Sequence, residues 1–156
     1  MAKPKRSWRE KLLGAKSLPK CGPIEGRMTK RWGTGTMVIP APVEVDAIMR
    51  SVRKGSLLTI DAIRARLAKK HRVTIACPLT TGIFAWIAAH AADEAERAGQ
   101  KRVTPYWRTL KARGELNPRY PGGIENLTAR LAAEGHRIVQ KGKRFFVEGC
   151  ESVLRR

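Results

Sequence analysis

The stretch LTIDAIRARLAKKHRVTIACPLTTGIFAWIAAHAADEAERAG, from Leu58 to Gly99, decides how the fold is read. Thr59 carries a hydroxyl suited to capping a helix start. Ile60, Ile63, Leu67 and Ala68 then recur at helical spacing, with Arg64, Arg66, Lys69 and Lys70 left to face outward. A polar loop from His71 to Pro78 follows. Thr80 or Thr81 is placed to cap a longer helix that runs to about Arg97, where Gly99 ends it. Ile83, Phe84, Trp86, Ile87, Ala88 and Ala91 are its expected interior. Two helices joined by a short connection, the second opening on hydroxyl residues, fit the helix-turn-helix plan, whose second helix enters the major groove of DNA by its N-terminus. An ordinary packed helical pair gives the same pattern, so other residues have to separate the two readings.

Working outward, Pro42 sits at a favourable first helical position, and Val45, Ile48, Met49 and Val52 repeat as one apolar face before Lys54-Gly55 breaks it. Downstream, Pro105 to Leu110 suggests a short strand. Lys111 to Tyr120, with Gly114 and Asn117 as turn residues, suggests a wing or loop carrying Arg108, Lys111, Arg113 and Arg119. Gly122-Gly123 precede a helix over Ile124 to Ala133 that Gly135 closes. Arg137 to Val147 is a hairpin turning at Lys141-Gly142-Lys143, where Gly142 supplies the positive φ such turns need. The fold class expected is α+β, mainly helical: a winged helix-turn-helix-like domain over residues 37–150 with a C-terminal β-hairpin, preceded by a basic arm over 1–36 and followed by a tail over 151–156.

Composition names the partner class. Among 156 residues, 32 Lys and Arg face 13 Asp and Glu, a formal charge of +19, which destabilises a compact chain unless a polyanion accepts it. The first 36 residues alone hold ten Lys or Arg against two acids, rich in Gly and Pro and weak in apolar periodicity beyond a short helix from Ser7 to Leu13. They read as a partly ordered arm, with Trp8 and Trp32 as its anchors. Cys21, Cys77 and Cys150 lie far apart, with no histidine at ligand spacing, so neither a zinc site nor a disulfide framework is expected, and no cofactor. No apolar run approaches the ~18 residues of a membrane span, and no secretory leader is legible. A reduced, cytoplasmic, nucleoid-associated protein without a membrane partner is the expectation, its oligomeric state open.

Several motifs then occur in a telling order: Pro105-Tyr106-Trp107-Arg108, Gly114-Glu115-Leu116, Tyr120-Pro121-Gly122-Gly123 and Leu131-Ala132-Ala133-Glu134-Gly135-His136. Together with the Val45 to Ile63 segment they resemble the DNA-binding and active-site domain of the alkylguanine-DNA alkyltransferases over roughly residues 40 to 138. The family order is Pro-Cys-His-Arg, a glycine turn, Tyr-x-Gly-Gly, and a helix ending Leu-x-x-x-Glu-Gly. The resemblance implies a helix-turn-helix that docks in the minor groove and flips a damaged guanine out of the stack, since its alkylated atom is unreachable inside it. It also places the nucleophilic cysteine of the family at Tyr106, its activating histidine at Trp107 and its orienting carboxylate at Glu134. Neither thiolate nor base is present, so alkyl transfer by that mechanism is lost. The flipping tyrosine and arginine fall at Ile60 and near Leu79. In logic the chain resembles the alkyltransferase-like branch, which binds alkylated DNA without repairing it and recruits excision repair.

The residues expected to carry function follow. Arg64, Lys69, Lys70, Arg72, Arg108, Lys111 and Arg113 are expected on phosphates, with Thr80 and Thr81 at the groove. Tyr106, Trp107 and Tyr120 are expected to line the former lesion pocket, either filled as core or open to stack an extruded base. Two alternatives remain open: cysteine-dependent alkyl transfer from Cys77, just before a helix start and near His71 in sequence, or an RNA- or ribosome-associated protein gripping through its arm and the Lys141 to Arg144 hairpin.

Overall fold

A computed structural model describes residues 6–154. Six α-helices and seven short strands follow one another among the described residues: α1 (Trp8–Leu13), β1 (Lys20–Pro23), α2 (Met28–Trp32), β2 (Thr36–Ile39), α3 (Pro42–Arg50), β3 (Leu58–Thr59), α4 (Ile60–His71), β4 (Ile75–Ala76), α5 (Pro78–Arg97), β5 (Thr109–Leu110), α6 (Gly123–Ala133), β6 (Ile138–Lys141) and β7 (Arg144–Val147). Short 3-10 turns at Tyr106–Arg108, Ala112–Gly114 and Cys150–Ser152 complete it. The class is α+β, mainly helical, with a C-terminal antiparallel hairpin, as the sequence implies.

Local chemistry sets the helix starts. Pro42 occupies the first turn of α3, and the Glu44 carboxylate accepts the Ala41 amide at 2.9 Å. The Thr59 hydroxyl accepts the Ala62 amide at 3.2 Å and so satisfies one of the donors that a helix start leaves over. For α5 the expectation is corrected: the helix begins at Pro78 with Cys77 at the cap, so Thr80 and Thr81 lie inside its first turn. Proline is preorganised for the first helical position and lacks the amide a cap would have to satisfy. Thr81 is buried, and its hydroxyl donates back to the Cys77 carbonyl at 2.7 Å.

The core lies between α3 and α5 and extends to α4 and α6. Val45 and Met49 of α3, Ile63 and Leu67 of α4, Ala85, Ala88, Ala89 and Ala92 of α5, and Leu127 and Leu131 of α6 are all buried. The buried face of α5 is therefore alanine, which lets α3 approach closely. Phe84, Trp86 and Ile87 are only partly covered, and Ile83, expected inside, is exposed.

Three small sheets stitch the helices. β1 and β2 are antiparallel, β4 joins β2 in parallel, β3 pairs with β5 in parallel, and β6 with β7 is the hairpin. The α4–α5 connection is thus a strand held on β2 rather than a bare turn. Lys111 to Tyr120, read as a wing or loop, packs against the hairpin. Glu115 bridges to Phe146, and the Leu116 amide donates to the Phe145 carbonyl at 2.9 Å. At Gly114 φ is +82°, and a Cβ would meet the Cys150 sulfur at 2.5 Å, so only glycine fits.

The segment read as a partly ordered arm has its expected first helix and Trp8 anchor, and is more ordered beyond them. Residues 6–36 contain α1, β1, α2 and the start of β2 (Lys3 and Lys5 lie outside the described residues). Glu94 of α5 accepts the Trp8 and Arg9 amides at 3.1 and 3.4 Å, where the positive end of α1 favours a carboxylate. Trp8 stacks on His90 with ring centroids 4.5 Å apart and meets Trp86 edge-on at 4.8 Å. After the hairpin, the Leu57 amide donates to the Val153 carbonyl at 3.0 Å, so the expected tail is docked through Leu154 and only its last two residues lie outside the described range.

Two substitutions check this frame by urea denaturation. Thr59→Ala is expected to lower stability by about 1 kcal/mol through the lost cap. Leu67→Ala is expected to cost about 2–5 kcal/mol because a buried leucine leaves a cavity.

Candidate nucleic-acid interface

Tyr106, to which the resemblance assigns the nucleophile's position, lies in the 3-10 turn Tyr106–Arg108, held between α3, α5 and α6. Glu134, at the end of α6, collects two neighbours from this turn. The Trp107 indole donates to its Oε2 at 2.8 Å, and Arg108 donates through Nε to Oε1 and through Nη2 to Oε2, each at 2.8 Å. The remaining Arg108 donor, Nη1, reaches the Val52 carbonyl at 2.7 Å. Burial works against a charged Glu134, but hydrogen bonds from Arg108 and Trp107 outweigh it and hold the carboxyl below the usual glutamate range. Arg108, expected on a phosphate, is thus consumed by a part-buried bidentate ion pair.

Beside it, Tyr106 is 1% exposed, and its hydroxyl accepts from Asn126 Nδ2 at 2.9 Å. Its ring meets Trp107 edge-on at 5.3 Å and Tyr120 edge-on at 6.3 Å. Burial pushes the phenols of Tyr106 and Tyr120 up, so both stay neutral donors at physiological pH. Over this aromatic corner lies Arg130, 4.5 Å from the Trp107 centroid and 5.6 Å from that of Tyr106. Asn126 Oδ1 accepts from Arg130 Nε at 3.1 Å, and the Glu96 carboxylate takes both terminal nitrogens. The three rings expected to line a lesion pocket form a packed corner closed by a guanidinium. Sequence reasoning missed Arg130, Asn126 and Glu96. The only trace of them was the four-residue spacing of Asn126 and Arg130 on one helix face.

The remaining candidates divide by what holds them. Arg64 is turned inward: its Nε donates to the Ala76 carbonyl at 3.2 Å, its guanidinium lies 4.7 Å above the Trp32 ring, and Asp61 accepts at 3.4 Å. It braces α4 against β4 instead of reaching outward. Lys69, Lys70 and Arg72 are exposed at the end of α4, where Lys70 pairs with Glu44 at 2.6 Å and Arg72 ends the helix at φ 54°. Lys111 and Arg113 are exposed further along, Lys111 within 3.7 Å of Glu115. At the head of α5, Thr81 is buried, the Thr80 hydroxyl has no hydrogen-bond partner, and Leu79 is 71% exposed.

Cys77 is buried at the α5 cap, Cys150 is buried under Gly114, and Cys21 is exposed on β1. His71, near Cys77 in sequence, instead faces Glu44 with Nε2 2.8 Å from Oε1. Among the described residues no group of His, Cys, Asp and Glu is arranged to hold a metal ion, and no helix is long and apolar enough to cross a membrane.

No protein-family model and no curated relative matches this chain. Two solved structures do. One is the S. pombe ATL, an alkyltransferase-like protein, in complex with DNA, 18% identical, with a TM-score of 0.53 over 74% of this chain and 94% of that one. The other is S. pombe Atl1 in complex with damaged DNA containing O6-carboxymethylguanine, 17% identical, with a TM-score of 0.49 over the same shares. The fold is similar to that of an alkyltransferase-like protein. At this identity the likeness extends to the arrangement of helices, and the site rests on this chain's own residues.

Glu134→Gln tests the buried pair. Because the folded carboxyl titrates below the ordinary glutamate value near 4.5, its contribution is present above that value and fades as pH falls through the folded one. The variant is expected to be about 3 kcal/mol less stable at neutral pH, with Arg108 left uncompensated. The gap to wild type should narrow by pH 3, as read by denaturant titration at both pH values.

Proposed function

We propose that this chain binds duplex DNA without transferring alkyl groups, presenting the head of α5 to the groove and the basic end of α4 to phosphates, and that it favours alkylated or distorted duplexes as a damage sensor. The observation that carries the reading is the contrast between two sets of cations. Arg64, Arg108 and Arg130 are fixed inside by carbonyls, carboxylates and rings. Lys69, Lys70 and Arg72 stay exposed at the end of α4, followed within a few residues by the first turn of α5, which contains no acid. A helix start that follows directly on a cationic turn suits a polyanion.

The fold supports the same partner, since the protein it resembles at a TM-score of 0.53 was solved with DNA. The absence of transfer is supported by the turn itself. Tyr106 stands at the matching position with its hydroxyl engaged by Asn126, and the Glu134 carboxylate is committed to Arg108 and Trp107. Neither can generate a nucleophile there. A cytoplasmic, nucleoid-associated location and a repair partner belong to the same proposal.

Of the seven cations expected on phosphates, setting aside Arg64 and Arg108 leaves five. The affinity for a short duplex should therefore fall with salt at a log–log slope of about −4.5. Lys69→Ala and Arg72→Ala should each flatten it by about 0.9. A slope near zero, or tighter binding to an RNA duplex in competition at fixed salt, overturns the duplex DNA reading. A duplex with one O6-alkylguanine should bind more tightly than its unmodified twin, because a weakened pair costs less to open. Equal affinity removes the damage-sensing part. An increase in intact protein mass after incubation with that duplex would refute the absence of transfer.

A further inference from the structure

β1 and β2 form a hairpin whose tip is α2. The neck of that tip is closed by the Ile24 amide, which donates to the Gly35 carbonyl at 2.9 Å, and below it the strands pair from Pro23 with Thr36 to Lys20 with Ile39. Further ties hold the tip against the α4–α5 connection. The Trp32 ring lies 4.7 Å from the Arg64 guanidinium, the Thr36 amide donates to the Thr74 hydroxyl at 3.0 Å, and the Thr74 amide donates to the Thr36 carbonyl at 3.0 Å. Gly35 permits that approach, since φ there is +142° and a Cβ would collide with the Thr74 hydroxyl. The tip is a fixed part of the body.

Its surface is cationic. Arg27, Lys30 and Arg31 are exposed, with Arg31 5.3 Å from the Trp32 centroid, and Glu25 is the one acid between Ile24 and Gly35. No ion pair occupies any of the three cations among the described residues. The turn on which the tip leans carries exposed Arg72 at φ 54°, a left-handed conformation that glycine reaches at lower cost. The fold alone gives no reason for a long side chain there. The tip cations thus continue the exposed set that ends α4.

What this surface can recognise follows from what it lacks. The large exposed apolar residues among the described ones, Leu13, Val43, Leu79 and Ile83, all lie outside the tip. A protein partner or a bilayer is held largely through buried apolar anchors, whereas a nucleic-acid backbone is held by charge and the release of counterions. Cations placed in advance by a rigid tip also give up less freedom on contact. Thr74 and Pro78, the first residue of α5, are separated by at most about 14 Å of chain, under half the rise of one duplex turn. One duplex can therefore meet the head of α5 and the tip together.

We propose that the α2 tip is a second phosphate-contacting surface, on which Arg27, Lys30 and Arg31 take the backbone of the same duplex beyond the stretch covered by the end of α4 and the head of α5. The inference rests on the duplex-binding reading above and lengthens its footprint on the side of β1 and β2.

The test uses the full chain with the short duplex and with one of about 20 base pairs, two turns. On the longer duplex the log–log salt slope of wild type should be steeper by about 2.7, the increment for three phosphates. Arg27→Ala, Lys30→Ala and Arg31→Ala combined should remove that increment, leave the short-duplex slope alone and unfold at an unchanged urea concentration. Arg27→Lys with Arg31→Lys keeps the charges and should keep the increment. Lys101→Ala with Arg102→Ala, exposed past the far end of α5 and about 30 Å from its head, should change neither slope. Equal wild-type slopes on the two duplexes, a full increment in the triple variant, a comparable loss from the Lys101 and Arg102 pair, or a second duplex bound per chain overturns the proposed surface and leaves the duplex reading standing. Failure of wild type to bind any duplex overturns both.

Discussion

An acid at the C-terminal end of a helix faces the negative end of the helix dipole, an unfavourable position unless something else holds it there. Glu134 closes α6 in that position, and what holds it is Arg108 and Trp107. The pair does more than satisfy a carboxylate. Through Val52, at the exit of α3, Arg108 links three segments distant in sequence, and the 3-10 turn that carries Tyr106 is fixed by that link. Remove it, and the turn, the end of α6 and the exit of α3 lose their common tie.

The same economy recurs in the cations. Arg64 sits on the Trp32 ring and the Ala76 carbonyl, Arg108 on Glu134 and Val52, and Arg130 on two rings, Asn126 and Glu96. A planar, forked, weakly hydrated guanidinium can serve carbonyl, carboxylate and ring together, which an ammonium cannot. These arginines are therefore structural, each beside its own acid, and the net excess of +19 is carried by the other basic residues.

What the sequence made legible was whatever depends on neighbours along the chain. Pro42, Thr59 and Gly142 announce α3, α4 and the hairpin because caps and turns are local events, and helical spacing placed α6 within one residue. What escaped depends on partners far away in the chain. Arg64 and Arg108 look like any exposed basic residue until Ala76 and Glu134 are brought to them. Beyond its short first helix and its tryptophan anchors, the N-terminal segment looks only partly ordered, because Glu94, Trp86 and His90, some eighty positions on, supply much of its order. In α5 the larger side chains suggested an inner face containing Ile83, whereas the close approach of α3 selected the alanines. Thr80 and Thr81 were natural caps by type, but Pro78 sets the start earlier.

The cysteines give the architecture a chemical asymmetry. Two of the three sulfurs are shielded, one at the mouth of α5 and one beneath Gly114, while Cys21 sits on β1, the edge strand of its sheet. Toward electrophiles in solution the molecule is consequently a monothiol. A maleimide chromophore would attach at one place, on a strand remote in sequence from Tyr106, and report on the protein without entering its interior.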